Sequence, residues 1–231
     1  MKTLGIVGGI GPESTIDYYR MLIAGYQERV GKNKLPPILI TSLDVYYGLS
    51  LLDANELDKL TNYVAAGVRQ LADAGADFGI IAANSPHLVF DEVQNHSGIP
   101  LISIVEAAAA AVTAQGFSRV GLMGTRFTMQ AGFYPEVFGR AGIAIVRPTA
   151  DEIAYIHEKY IGELLEGTFL PDTRAQVLSI VDRMREREHI EAVVLAGTEL
   201  PLLLRDGQAP DIPLLDTTRI HVEAAIAQMM A

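Results

Sequence analysis

The sequence predicts an α/β protein built as two pseudo-symmetric αβα sandwich domains with parallel sheets and an active-site cleft between them. Three observations carry this. Strand-like and helix-like segments alternate along the whole chain. The strand segments are near-continuous apolar runs, as befits strands covered on both faces. The third is an internal repeat. Ala83-Asn84-Ser85-Pro86 and Gly197-Thr198-Glu199-Leu200-Pro201 each close an apolar run, at an offset of 114 residues between Ala83 and Gly197. Gly5-Ile6-Val7-Gly8 and Gly121-Leu122-Met123-Gly124 match at 116, and Ile99-Pro100-Leu101 and Ile212-Pro213-Leu214 at 113.

Residues 3–8 read as a first buried strand. The glycine turn Gly8-Gly9-Ile10-Gly11-Pro12 leads into a helix on which Tyr18, Tyr19, Leu22, Ile23 and Tyr26 recur at helical spacing. Residues 39–43 form a second strand after the Pro36-Pro37 break. Residues 56–74 form an amphipathic helix with Leu57, Leu60, Val64, Val68 and Leu71 on one face, and 78–82 a third strand. A short helix over 88–94 and a fourth strand over 101–104 complete the first half. In the second half, helices are expected over 105–115, 152–166, 173–186 and 218–230, with strands over 119–123, 143–146, 192–195 and 214–215. The first domain is expected to span 1–104, with 216–231 returning to it, and the second 105–215.

Composition narrows the function. Of 231 residues, 49% are hydrophobic and 20% charged, which suits a globular core. No apolar run reaches the roughly 18 residues of a membrane span, and Met1-Lys2-Thr3 lacks the pattern of a secretory leader; a cytoplasmic protein with no membrane partner is expected. A net charge of −10 disfavours nucleic acid, which wants a basic surface. The chain has no cysteine, so disulfides, thiolate metal sites and cysteine nucleophiles are excluded. The five histidines, at 87, 96, 157, 189 and 221, show no i, i+4 pair, so no metal is expected.

Ligands of such sheets bind beyond the carboxyl ends of the strands. The turns expected there, 8–15, 41–47, 83–87, 124–128 and 197–201, are rich in Gly, Thr, Ser and Asn. Their backbone and hydroxyl donors at helix N-termini suit a carboxylate. The turn after the first strand also evokes a nucleotide-binding dehydrogenase, but its glycine spacing is not that of G-x-G-x-x-G.

Taken together and in order, Gly8-Gly9-Ile10-Gly11-Pro12-Glu13-Ser14-Thr15, Ala83-Asn84-Ser85-Pro86-His87, Gly124-Thr125-Arg126-Phe127-Thr128 and Gly197-Thr198-Glu199 resemble the four signatures of the aspartate/glutamate racemase family. Ile156-His157, with Glu163-Leu164 and Gly167, resembles a helix of that family. The resemblance implies a two-domain, cofactor-independent isomerase, commonly a homodimer, acting on a carbon next to a carboxylate. Two cysteines would face each other across the cleft, one removing and one returning the α-proton. It implies substrate contacts at Gly9, Asn84, Ser85, Thr125, Thr128 and Thr198, with Ser85 in place of the usual Thr.

The departure lies at the two chemical positions, where Ala83 and Gly197 stand in the cysteine slots and carry no transferable proton. His87, four residues after Ala83, and Glu199, two after Gly197, are the candidate substitutes. The more ordinary reading of His87 is a helix-start residue bonded to backbone, and of Glu199 a carboxylate favoured by a helix dipole. Asp44, Tyr46 and Tyr47 follow the second strand, where a relative reads the substrate side chain with Arg, and no Arg stands there. His157 and Lys159 share one helix that reads either as edging the cleft or, at Lys159, as a solvated face, and Arg126 reads either as a carboxylate ligand or as a surface charge. Two functions follow: an amino-acid racemase whose proton carriers are not thiols, or a binding protein (sensor or scaffold) that keeps the carboxylate cradle without turnover.

Overall fold

The computed structural model describes residues 1–205 and 211–231. They divide into two compact units, Met1–Ile104 with Thr218–Ala231, and Val105–Thr217.

The first unit holds β1 (Leu4–Gly8), α1 (Pro12–Val30), β2 (Ile38–Ser42), α2 (Val45–Asp53), α3 (Leu57–Asp73), β3 (Phe78–Ile81), a 3-10 turn (Ser85–Val89), α4 (Phe90–Asn95) and β4 (Leu101–Ile102). Its sheet is parallel, in the order β2-β1-β3-β4. The second unit holds α5 (Ile104–Ala114), whose first residue still belongs to the first unit, then β5 (Arg119–Gly124), α6 (Arg126–Gln130), α7 (Phe133–Arg140), β6 (Ala144–Val146), α8 (Ala150–Lys159), a π-turn (Tyr160–Leu164), α9 (Pro171–Glu188), β7 (Ala192–Ala196), α10 (Leu200–Leu204) and β8 (Leu214–Asp216). Its sheet is also parallel, in the order β6-β5-β7-β8. Helix α11 (Thr217–Met230) closes the chain.

The repeat read from the sequence is a repeat of strand register. Gly5 pairs with Gly79 across β1 and β3, and Gly121 with Val193 across β5 and β7. Gly79 pairs with Leu101, and Val193 with Leu214. Each partner in the second unit lies at the offset of its own segment, 116, 114 or 113. Gly5 and Gly121 also do the same job. A Cβ on Gly5 would stand 3.1 Å from Leu71 at the end of α3, and one on Gly121 would stand 3.1 Å from Met184 near the end of α9. Glycine at the centre of each sheet lets the helix that precedes the next strand lie close to it.

Each unit has its own core. In the first, Leu4, Ile6, Phe78 and Ile80 of the sheet meet Tyr18 and Leu22 of α1 and Val222, Ala225, Ile226 and Met229 of α11. The Lys2 amide donates to the Met229 carbonyl at 3.2 Å, tying the two ends of the chain together. In the second, Met123, Val193 and Leu195 pack with Ile153, Ile156 and Tyr160, with Val177, Ile180, Val181 and Met184, and with Leu200 and Leu203. Burial of each such side chain is worth about 1.5–3 kcal/mol.

Four helices were not legible in the sequence, and local hydrogen bonds account for two of them. The expected turn at 41–47 is in fact the start of α2, because the Asp44 carboxylate caps it, accepting from the amides of Tyr46 (2.8 Å) and Tyr47 (3.3 Å). Thr125 caps α6 in the same manner. The other two, α7 and α10, are eight and five residues long, too short for a helical period to register. The helix expected over 152–166 begins earlier, at Ala150, because Thr149 and Glu152 form a reciprocal capping box. It then widens into the π-turn at Tyr160. The fourth strand stops at Ile102 instead of 104, since Ile104 opens α5 and its amide donates to His87. No helix among the described residues is long and apolar enough to cross a membrane.

Candidate functional site

In the first unit the candidate residues gather at the carboxyl ends of the paired strands β1 and β3. The Ala82 amide donates to the Val7 carbonyl at 2.9 Å, so Gly8-Gly9 and Ala82-Ala83 leave the sheet side by side. Gly9 adopts a φ of +79°, and a side chain there would strike the Leu43 backbone and Ser42. Its amide donates to Thr15 Oγ1 at 2.9 Å. Ala83 and Asn84 are buried and Ser85 partly so.

His87 lies beneath this turn. The Ile104 amide donates to its Nε2 at 3.2 Å, which leaves the proton on Nδ1, donated to the Ala83 carbonyl at 2.9 Å. The ring stacks on Phe90, with centroids 5.0 Å apart. Burial first, and the neighbouring His221 second, push its pKa down to about 3. It is therefore a neutral imidazole with both nitrogens engaged by backbone, and it braces the Ala83 turn. His221, from α11, is its companion: Nε2 donates to the Ile102 carbonyl at 2.9 Å and Nδ1 accepts from Tyr18 Oη at 2.9 Å. Burial pushes His221 down to about 4.

In the second unit Gly124 of β5 pairs with Ala196 of β7, so Thr125 and Gly197 leave adjacent strand ends just as Gly9 and Ala83 do. Thr125 Oγ1 accepts from the Thr128 amide at 3.3 Å and lies 3.3 Å from Thr128 Oγ1; both residues are buried. The Thr217 hydroxyl supports the β7 end from below, donating to the Leu195 carbonyl at 2.7 Å.

Gly197, Thr198 and Glu199 meet a residue the sequence reading did not single out. Tyr160, at the start of the π-turn, lies against Gly197: a Cβ built there would stand 2.5 Å from Tyr160 Cε2 and 2.9 Å from Oη. The Tyr160 hydroxyl donates to Glu199 Oε2 in a short hydrogen bond. Thr198 Oγ1 donates to the same oxygen at 3.0 Å, and the Glu199 amide donates back to Tyr160 Oη at 3.3 Å. All three side chains are buried. Burial, then the Glu199 carboxylate, raise the Tyr160 hydroxyl well above its ordinary pKa. A π-distortion often marks a functional position. The glycine itself was the available signal, since a missing side chain at a chemical position leaves room for a bulky neighbour.

The remaining candidates have other work. Asp44 is occupied in capping α2, and Tyr47 meets Tyr63 edge-on with centroids 4.8 Å apart. Lys159 pairs with Glu163 at 2.7 Å. His157 Nδ1 accepts from the Arg126 amide at 3.3 Å, and the Arg126 guanidinium lies over Phe127. Among the described residues no group of His, Asp and Glu is arranged to hold a metal ion.

A family model described as Asp/Glu/Hydantoin racemase matches residues 7–225. The chain belongs to this family. A curated relative, the broad specificity amino-acid racemase RacX of Bacillus subtilis (strain 168), is 22% identical over 99% of this chain and 98% of its own. The solved structure of an aspartate racemase homologue from Pyrococcus horikoshii OT3 is 31% identical, with a TM-score of 0.84 and full coverage of both chains. Glutamate racemase from Francisella tularensis subsp. tularensis SCHU S4, solved in complex with D-glutamate, shares the fold at 19% identity, with a TM-score of 0.66 over 99% of this chain and 81% of its own. Within this Asp/Glu/Hydantoin racemase family member, Ala83 and Gly197 occupy equivalent positions of the two repeats by strand register, Ala83 two residues past β3 and Gly197 one residue past β7.

Proposed function

We propose that the protein binds a small amino acid or related carboxylate and acts as a cofactor-independent isomerase in the manner of its family, with groups other than thiols moving the α-proton. The observation that carries this reading is the survival of hydroxyls and an amide at the signature turns while both chemical positions lack a proton carrier. Asn84 and Ser85 in one unit, and Thr125, Thr128 and Thr198 in the other, follow strand ends and offer short polar side chains. A carboxylate is held by several such neutral donors together with helix N-termini. Gly9 contributes its backbone at a turn that admits no side chain. Cytoplasmic location and a homodimer belong to the same proposal and rest on the sequence reading.

The loss of both cysteines favours a second reading, a carboxylate-binding protein without turnover. General acid–base groups contribute roughly 10²–10⁴-fold each, so a pair of empty positions would leave α-proton transfer very slow.

The deciding experiment is a thermal-shift screen with every proteinogenic amino acid in both configurations, followed by chiral analysis of those that bind. A ligand at 100 times its Kd stabilises by about 2.7 kcal/mol, or roughly 5–11 °C for a chain of this size. The shift should disappear in Asn84→Ala and in Thr125→Val. Absence of any shift would remove both readings; a shift without change of configuration would leave the binding protein.

A further inference from the structure

We propose that Tyr160, relayed to Glu199, is the proton carrier on the Gly197 side, its hydroxyl standing where the missing side chain would have placed a transferable proton. The inference rests on the reading above and deepens it by naming the group that does the chemistry.

Three features converge. A Gly197 Cβ would stand 2.5 Å from Tyr160 Cε2 and 2.9 Å from Oη, so the hydroxyl end of the phenol takes the space that a side chain at 197 would need. Only glycine at 197 makes that approach possible, which explains why the position holds no side chain at all. The hydroxyl is also directed: it donates to Glu199 Oε2, which Thr198 Oγ1 holds from a second side, and the Glu199 amide donates to Oη. A carboxylate in the core is costly unless it is hydrogen-bonded, and the Tyr160 and Thr198 hydroxyls supply those bonds to Glu199. Finally, burial and the Glu199 charge keep the hydroxyl protonated at neutral pH, so the group that takes up a proton is the Glu199 carboxylate, reached through the phenol.

The step balances within the protein. The Cα–H bond of the bound amino acid breaks and its proton forms a bond to Tyr160 Oη, while the Tyr160 hydroxyl proton passes to Glu199 Oε2. The electron pair stays on Cα and spreads into the substrate carboxylate. Return reverses each transfer. The hydrons on Tyr160, Glu199 and Thr198 redistribute among three bonded oxygens, so in heavy water a fraction of the returns delivers deuterium. The reaction expected of this group is exchange of the substrate α-proton. Tyr160 is thus the catalytic residue, and Glu199 acts through it.

The test is proton NMR of each amino acid that shifts the melting temperature, incubated with the protein in heavy water, with chiral chromatography of the product. The expected result is loss of the α-proton signal. Tyr160→Phe should slow the exchange at least about 10²-fold while the ligand-induced thermal shift remains. Glu199→Gln should slow it as well and flatten its pH dependence, a change that a purely structural carboxylate would not produce. A ligand that binds without exchange overturns the proposal and leaves the binding reading intact. Exchange at the wild-type rate in Tyr160→Phe also overturns it. If no amino acid binds, the functional reading fails and the proposal with it.

Discussion

His87 and His221 stand edge to face in the first unit with ring centroids 6.3 Å apart, one from the turn after β3 and the other from the last helix. Each is a neutral imidazole spanning two partners: the Ala83 carbonyl and Ile104 amide for His87, and the Ile102 carbonyl and Tyr18 hydroxyl for His221. Their folded pKa values, about 3 and about 4, lie below the ordinary 6.5.

That arrangement sets a pH dependence. Between pH 6.5 and 4 the unfolded chain takes up protons at both positions while the folded chain does not, so stability is full above pH 6.5 and falls with acidification. The slope approaches about 1.4 kcal/mol per pH unit for each histidine. Urea denaturation from pH 7.5 to 4.5 should show this loss, and His221→Gln should reduce the slope while lowering stability at pH 7.5. A flat profile over that range would contradict the neutral pair.

Gly197 and Tyr160 are a matched pair. Gly197→Ala forces the Tyr160 ring to move and should cost about 1–3 kcal/mol, the range for overpacking. In a Tyr160→Ala background the same substitution should cost much less, and the difference is the coupling energy of a double-mutant cycle. For the same reason, cysteines placed at 83 and 197 should confer racemisation only when Tyr160 is also made small, as chiral chromatography with and without the Tyr160 change will read.

Glu152 carries the start of α8. Its carboxylate accepts from the Thr149 amide at 2.8 Å and from Arg183 and Arg187. Burial works against its charge, but these donors win and hold its pKa down to about 2. Glu152→Ala should therefore cost about 1–2 kcal/mol at pH 7. The stabilisation is present above the ordinary carboxylate value of 4.5 and is lost as pH falls toward 2, so wild type and variant should converge in acid when compared by thermal melts.

Helix α11 belongs energetically to the first unit. Ile226, fully buried against Leu4, Phe78 and α1, should cost about 2–5 kcal/mol on replacement by Ala. Loss should appear as a lower urea midpoint, with an unchanged midpoint counting against the packing described.

Much of this architecture was legible in one dimension. Apolar runs and their spacing encode strands and their order, because a parallel strand buried on both faces tolerates little else. The repeat offsets even anticipate strand register, since each offset follows its own strand. Short helices such as α6 and α10 escaped because five residues carry too little period to register. At the site, the signature turns around Asn84, Ser85, Thr125 and Thr198 were visible because their residues are contiguous. His87 was legible as a helix-start residue bonded to backbone, as its bond to the Ala83 carbonyl is, but its second partner at Ile104 and its companion ring at 221 were not.

The sequence by itself determined the repeated α/β plan, the family resemblance and the absence of any thiol, all properties of local pattern and composition. Only the tertiary structure decided that Tyr160 fills the space beside Gly197 and reaches Glu199 across 39 residues of chain. Side-chain packing brings together groups whose separation along the chain carries no period, so burial and hydrogen-bond partnership at such a point are settled in three dimensions.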